Sequence, residues 1–199
     1  LLEKERIKSE LDYLKAQINP HALFNSLNTI YGHIDKNNQA ARNILLQFSE
    51  LLRYQLYDCG VEKVNLGQEI DYIKNYVAFQ RFRNDEKLIV QTCVENINTG
   101  LSIAPLLLII LIENSFKFVS NFSDKENKIC ISIKTEGHVL KTTFRNTIEF
   151  NAGNNIGHSP GIGIRNLKRR LELLYSKKYE LIANINDNFH ETHLNIDLS

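Results

Sequence analysis

The period of the apolar pattern changes once along this chain, near residue 84, and that change constrains the fold more than any other feature. Upstream, Ile7, Leu11, Leu14 and Ile18 recur at spacings of three and four. The same spacing links Ala41, Ile44, Leu45, Phe48, Leu51, Leu52 and Leu56 between about Gln39 and Tyr57, and Ile70, Ile73, Tyr76, Val77 and Gln80 between about Leu66 and Phe82. Each set lies along one face of a helix. Pro20 lacks a backbone donor and bends or breaks the first stretch, which otherwise runs from Leu1 to about Ile34. Three amphipathic helices with short links predict a helical hairpin or bundle, whose apolar face needs a partner to cover it.

Downstream the pattern is mixed. Leu88 to Val94 reads as a strand and the apolar run Ala104 to Lys117 as a buried helix. Lys128 to Lys134 alternates Ile129, Ile131 and Ile133 with polar residues, as a half-exposed strand does, and Val139 to Asn146 follows the Glu136-Gly137 turn as its hairpin partner. Residues 147 to 163 are rich in Asn and Gly without periodicity, which predicts a long loop of the functional or mobile kind. Ile164 to Tyr175 is a basic amphipathic helix, and Tyr179 to Asn186 with His190 to Leu198 make a closing strand pair. Helices first and an α+β layer second predict an α+β chain of two domains, residues 1–84 and 85–199.

Charge and cysteine content remove several function classes. The 24 basic and 23 acidic side chains leave a formal charge of +1, which argues against a surface that tracks nucleic-acid phosphates. Cys59, Cys93 and Cys130 are odd in number and far apart, so neither a zinc knuckle nor a disulfide framework is expected, and the compartment reads as reducing. The apolar run from Leu101 to Ile112 contains Pro105 and falls short of the ~20 residues a membrane helix needs. No signal peptide opens the chain, and the absence of any Met, an initiator included, leads us to expect a portion of a longer protein.

Three segments carry chemistry. In the first, His21 and Asn25 are four positions apart and share a helix face, with Asn28 further along it. An imidazole just past a proline bend can present a nucleophilic nitrogen, and a carboxamide one turn away can orient a phosphoryl group or a water. An ordinary exposed helical histidine beside a kink fits the same spacing. In the second, Glu113, Asn114 and Lys117 place a carboxylate, an amide and a cation at the end of an apolar helix. A carboxamide oxygen suits Mg2+, which prefers oxygen donors and bridges phosphates, although a polar helix end capping an apolar core would look alike. In the third, Gly161 and Gly163 open a helix whose N-terminus offers unpaired N–H groups to phosphate.

The segment from Gln17 to Asn28 resembles the phosphoacceptor box of LytS/YehU-type sensor histidine kinases, close to Q-x-N-P-H-F-L-F-N-x-L-N. Gln17, Asn19, Pro20, His21, Leu23, Phe24, Asn25, Leu27 and Asn28 match in order and spacing, and Ala22 stands where the family has Phe. Leu51-Leu52-Arg53-Tyr54 and the region from Glu69 to Arg83 are similar to the same family. Pro105 to Phe118 resembles the N box of the GHKL ATP-binding domain, with Phe118 in place of a common His, and Gly161 to Tyr175 resembles its G2 box and following helix. The D-x-G-x-G adenine box is missing. Asn146 occupies the place of its Asp, ahead of a lid from about Glu149 to Pro160.

The resemblance implies a helical dimerisation and phosphoacceptor hairpin followed by a GHKL (Bergerat-type) α/β sandwich with a mixed, mostly antiparallel sheet. It implies ATP and Mg2+ as cofactors and autophosphorylation of His21. Asn114 would bind Mg2+, Glu113 would act as base, Asn25 would orient the phosphoryl group or a hydrolytic water, and Lys117, Asn146, Gly161, Gly163 and Arg165 would contact nucleotide. The uncovered apolar stripe of the helical half predicts a homodimer, and the charge balance predicts no nucleic-acid partner; the resemblance further implies relay to an aspartate of a response regulator receiver domain, and a cytoplasmic location with membrane attachment only through an upstream segment. Two alternatives stay open: a degenerate kinase acting as a dimeric scaffold, and a helical dimerisation module joined to an unrelated α+β domain. His33, His138, His158, His190 and His193 match no motif and are expected at the surface.

Overall fold

The computed structural model describes residues 19–83, 87–149, 162–186 and 188–199. The chain divides into two compact units, the first ending at Gly60 and the second running from Val61 to Ser199.

In the first unit, α1 (Pro20–His33) and α2 (Gln39–Tyr57) form the expected hairpin, followed by a single 3₁₀ turn at Asp58–Gly60. Each helix starts on an asparagine. The Asn19 side chain accepts from Ala22 N at 3.1 Å with Pro20 at the first helical position, and Asn38 accepts from Ala41 N at 3.1 Å. Both caps satisfy an N–H that the helix itself leaves orphaned. Leu27, Leu51 and Tyr54 are buried, and the two helices meet through stacked Phe24 and Tyr57 rings with centroids 6.0 Å apart and through Arg42 over the Tyr31 ring at 3.9 Å.

In the second unit, β1 (Val64–Asn65) pairs antiparallel with β3 (Ser102–Ile103), and α3 (Leu66–Arg83) lies between them in sequence. The main sheet consists of β2 (Leu88–Glu95), β4 (Asn127–Glu136), β5 (Val139–Thr147), β7 (Phe189–Asp197) and β6 (Tyr179–Asn186), in that spatial order. Only β2 with β4 is parallel, so the sheet is mixed and mostly antiparallel as expected. The β4–β5 hairpin turns at Gly137, whose φ of +59° a glycine adopts without strain. Helices α4 (Ile109–Phe118) and α5 (Ile162–Leu174) complete the unit.

Alternation along β4 is complete: Ile129, Ile131 and Ile133 are buried, and Lys128, Ser132 and Lys134 are partly exposed on the other face. Leu140, Phe144, Leu194 and Ile196 extend the buried face across β5 and β7, and α4 packs against β4 and β5. Each such side chain contributes roughly 1.5–3 kcal/mol relative to exposure.

The compact units divide at Gly60, and α3 buries Leu66, Ile70, Ile73 and Val77 within the second of them. Two expectations differ from the structure. The buried run from Ala104 is helical only from Ile109: Leu106 sits at φ +58°, in the left-handed region, where no helix can propagate. His190 is half-buried instead of at the surface, and burial lowers its pKa. His158, the predicted helix before Asn19, and the lid from residue 150 onward lie outside the described residues. No described helix is long and apolar enough to cross a membrane.

Candidate functional site

The candidate residues fall into two groups, one in each unit. In the first unit His21 is the second residue of α1, and its ring stands exposed. Asn25, also exposed, places Nδ2 at 3.2 Å from His21 Nδ1. The α1 N-terminus supplies a positive dipole end, so negative charge arriving on this imidazole is favoured by typically 0.3–1 kcal/mol. Ala22 is exposed, and its N–H is used by the Asn19 cap. One turn along, Phe24, Arg53, Tyr57 and Asp58 line an open surface hollow.

In the second unit three segments distant in sequence converge. Asn146, at the end of β5, is 1% exposed, and its Nδ2 donates to Thr147 O at 3.2 Å and to Phe118 O at 3.4 Å. A carboxamide nitrogen facing two carbonyls fixes the amide, so Oδ1 is the end left to accept a hydrogen bond. Gly163, in the first turn of α5, lies against α4: a Cβ there would sit 3.6 Å from Ile110 Cγ2. The end of β5, helix α4 and the start of α5 are thereby joined. Gly161 lies outside the described residues.

Along α4, Asn114 is partly buried, and its Nδ2 has no hydrogen-bond partner among the described residues. Burying an amide group without a partner costs ~1–3 kcal/mol, a cost that a ligand at this position relieves. Burial also raises the pKa of the neighbouring Glu113 carboxyl, the direction that makes a carboxylate a better proton acceptor. Lys117 is exposed, with Nζ 5.2 Å from the centroid of the exposed Phe118 ring. Arg165 is exposed on α5. The unpartnered Nδ2 calls for a hydrogen-bond acceptor, while the carboxamide oxygen of Asn114 is a donor of the kind Mg2+ takes, an ion that keeps part of its water shell.

Three further side chains support this arrangement. Tyr76 of α3 meets Phe116 of α4 edge to face, with centroids 6.0 Å apart. Its hydroxyl accepts from Gln80 Nε2 at 2.9 Å, and burial followed by the Glu113 charge raises its pKa. Glu69 of α3 is fully buried and accepts from Leu106 N at 3.1 Å, and Arg170 of α5 donates to Pro105 O at 2.8 Å and to Leu106 O at 3.3 Å. Helices α3 and α5 therefore grip the turn from which α4 starts. The visible signal for Glu69 was a carboxylate placed in the apolar stripe of a helix, where charge is rare unless partnered. Arg170 carried no comparable signal.

The outer face of the sheet carries a separate hydrogen-bonded row, Thr143 Oγ1 to His193 Nδ1 at 3.1 Å and His193 Nε2 to Glu191 Oε1 at 3.0 Å. It is part of the cross-strand pairing of β5 with β7.

The histidine kinase family model matches residues 9–88, the span that contains His21 and Asn25. The chain is 30% identical over 191 residues to the sensor protein LytS of Staphylococcus haemolyticus, which aligns 91% of this chain with 32% of that protein. It is 32% identical over 183 residues to the sensor histidine kinase YpdA of Escherichia coli K12, covering 85% of this chain and 31% of that one. The chain thus spans about a third of the length of the curated relatives it matches. Among solved structures, the histidine kinase domain of the blue-light activated kinase EL346 from Erythrobacter litoralis matches with a TM-score of 0.52 at 13% identity, over 96% of this chain and 93% of that one, a likeness of fold. Sequence span, relatives and fold agree, and the chain belongs to the histidine kinase family, with its GHKL-type α+β layer following the histidine-bearing helices.

Proposed function

We propose that this chain is the phosphotransfer core of a sensor histidine kinase: it binds ATP in the second unit, transfers the γ-phosphoryl group to His21, and passes it to an aspartate on a response regulator receiver domain. The observation that carries this reading is the convergence of Asn146, α4 and Gly163, three chain segments that the fold draws onto one helix.

Each residue has a role that its surroundings support. Asn146 accepts from the exocyclic amino group of adenine through Oδ1, the amide end not used by the protein. Gly163 allows close approach of phosphate to the start of α5, and Lys117 and Arg165 supply exposed positive charge. Asn114 holds Mg2+ through its carboxamide oxygen; when bound, the ion neutralises phosphate charge and orients the leaving group. Glu113, its basicity raised by burial, takes the imidazole proton. Little covalent work remains for the protein beyond this positioning.

The partners follow from the same reading. A second copy of the chain covers the apolar face of the α1–α2 hairpin, where Ile30 is 50% and Leu46 is 49% exposed. Attachment to a membrane, in this proposal, is through a segment upstream of the residues given.

Incubation with γ-labelled ATP and Mg2+ tests the proposal. Acid-labile label on the wild-type chain that His21→Ala abolishes is the expected result. Absence of both labelling and nucleotide binding at millimolar ATP overturns it in favour of a dimeric scaffold without catalysis.

A further inference from the structure

His21 and Asn25 stand one turn apart on the exposed face of α1, with Asn25 Nδ2 at 3.2 Å from His21 Nδ1. A carboxamide nitrogen donates and never accepts, so in this arrangement Nδ1 is the acceptor and the proton of the neutral ring resides on Nε2. Neither ring nitrogen is then free to attack: one lone pair is occupied and the other nitrogen is protonated. No acidic residue lies in the first turn of α1, the histidine is flanked by Pro20 and Ala22, and among the described residues no carboxylate is hydrogen-bonded to its ring. No other hydrogen bond among the described residues holds the Asn25 amide, which can therefore turn about its terminal bond.

Turned by half a rotation, the same side chain presents Oδ1 to Nδ1. It then accepts from Nδ1–H and leaves the lone pair on Nε2, pointing away from the helix. We infer that the Asn25 carboxamide is a tautomer switch: its nitrogen on Nδ1 holds His21 in a resting form, and its oxygen on Nδ1–H makes Nε2 the nitrogen that receives the phosphoryl group. This rests on the kinase reading above for its catalytic consequence. In the step, the Nε2 lone pair forms the N–P bond and the bond from the γ-phosphorus to the β–γ bridging oxygen breaks. ADP departs with that electron pair, and the Nδ1 proton passes through water to the base. Nδ1 is again an acceptor, and the amide nitrogen returns to it. Asn25 is thus a positioning residue.

The experiment compares the full chain with Asn25→Asp and Asn25→Leu, labelled with ¹⁵N in histidine, at a pH where imidazole is neutral. Long-range ¹H–¹⁵N spectra of His21 read the tautomer directly. The wild type should show mainly Nε2–H. Asn25→Asp, whose carboxylate only accepts, should raise the ratio of Nδ1–H to Nε2–H about three- to tenfold, and Asn25→Leu should leave no preference set by residue 25. Equal tautomer ratios in all three chains overturn the inference. In γ-labelled ATP reactions, Asn25→Asp should label His21 at least as fast as wild type, and Asn25→Leu should lower kcat about tenfold with KM for ATP unchanged. The isolated phosphohistidine should carry phosphorus on Nε2; phosphorus on Nδ1, or KM and kcat changing together, overturns the switch. If wild type takes no label, the kinase reading fails, and the ring-nitrogen spectra still decide the tautomer assignment.

Discussion

The carboxylate of Glu69 accepts the backbone N–H of Leu106 at 3.1 Å, and that one bond explains where the helix carrying Glu113 and Asn114 begins. Leu106 is in the left-handed region at φ +58°, a conformation costly for a residue with a branched side chain, and Arg170 grips the carbonyls on either side of the bend. Glu69→Ala leaves a buried N–H without a partner, at ~1–3 kcal/mol. The expected outcome is a loss of that size in urea unfolding of the second unit, with faster amide exchange at Leu106. Glu69→Gln, which keeps an oxygen acceptor, should recover most of the amide protection.

The same turn shows what was legible in the sequence. The period-2 pattern of Ile129, Ile131 and Ile133 announced β4 because each residue's burial is decided by its own strand. The asparagine and glycine segments around His21, Asn114 and Gly163 could be singled out because each is contiguous. The helix start at Ile109 was not, since an unbroken apolar run from Ala104 carries no polar punctuation and the residues that bend it, Glu69 and Arg170, lie 37 and 64 positions away. The packing of α3 within the second compact unit was not legible for a related reason: its apolar stripe shows that a face is buried, and nothing in the stripe says against which unit. The orientation of the Asn146 amide likewise depends on carbonyls of Thr147 and Phe118 that only folding brings together.

That orientation leads to a second prediction. On the proposed reading Asn146 takes the place of the adenine-box Asp, from which Asn146→Asp would be expected to strengthen nucleotide binding. The structure argues the opposite for this chain. Asn146 Nδ2 donates to two carbonyl oxygens, and a carboxylate oxygen placed there would face both with no proton to share. Asn146→Asp should therefore destabilise the second unit by about 1–3 kcal/mol and give no gain in ATP affinity, as measured by thermal unfolding and by isothermal titration with Mg2+ and ATP.

A third prediction concerns the N-cap of the histidine-bearing helix. Asn19 accepts from Ala22 N, and its own carbonyl accepts from Leu23 N at 3.1 Å, so it sets the first turn in which His21 lies. Asn19→Ala should cost ~1 kcal/mol of local helix stability, and Asn19→Ser or Asn19→Asp should restore it. Amide exchange at Ala22 is the direct measurement. Because the first turn also fixes the direction of the imidazole, the rate of His21 labelling should fall in Asn19→Ala and recover in Asn19→Asp.

Glu113 gives the pH dependence. Burial raises its pKa above the ordinary glutamate value, so over the window between the two values the folded chain holds a proton that the unfolded chain has lost. Folding stability from this group is therefore fully present below the ordinary value and declines as pH rises through the raised one. Glu113→Gln removes the dependence and should leave the chain slightly more stable at neutral pH, by no more than ~0.5 kcal/mol because the side chain is only partly buried and solvent screens it. Activity should run in the opposite direction, since a base must be ionised to accept a proton: labelling of His21 rises with pH through the raised value. Glu113→Gln should lower the labelling rate by about 10²–10⁴-fold and flatten that rise. Rate against pH for the two chains, beside their thermal unfolding over the same range, tests both signs at once; a rate profile for Glu113→Gln that keeps the wild-type rise would assign the titrating base to another residue.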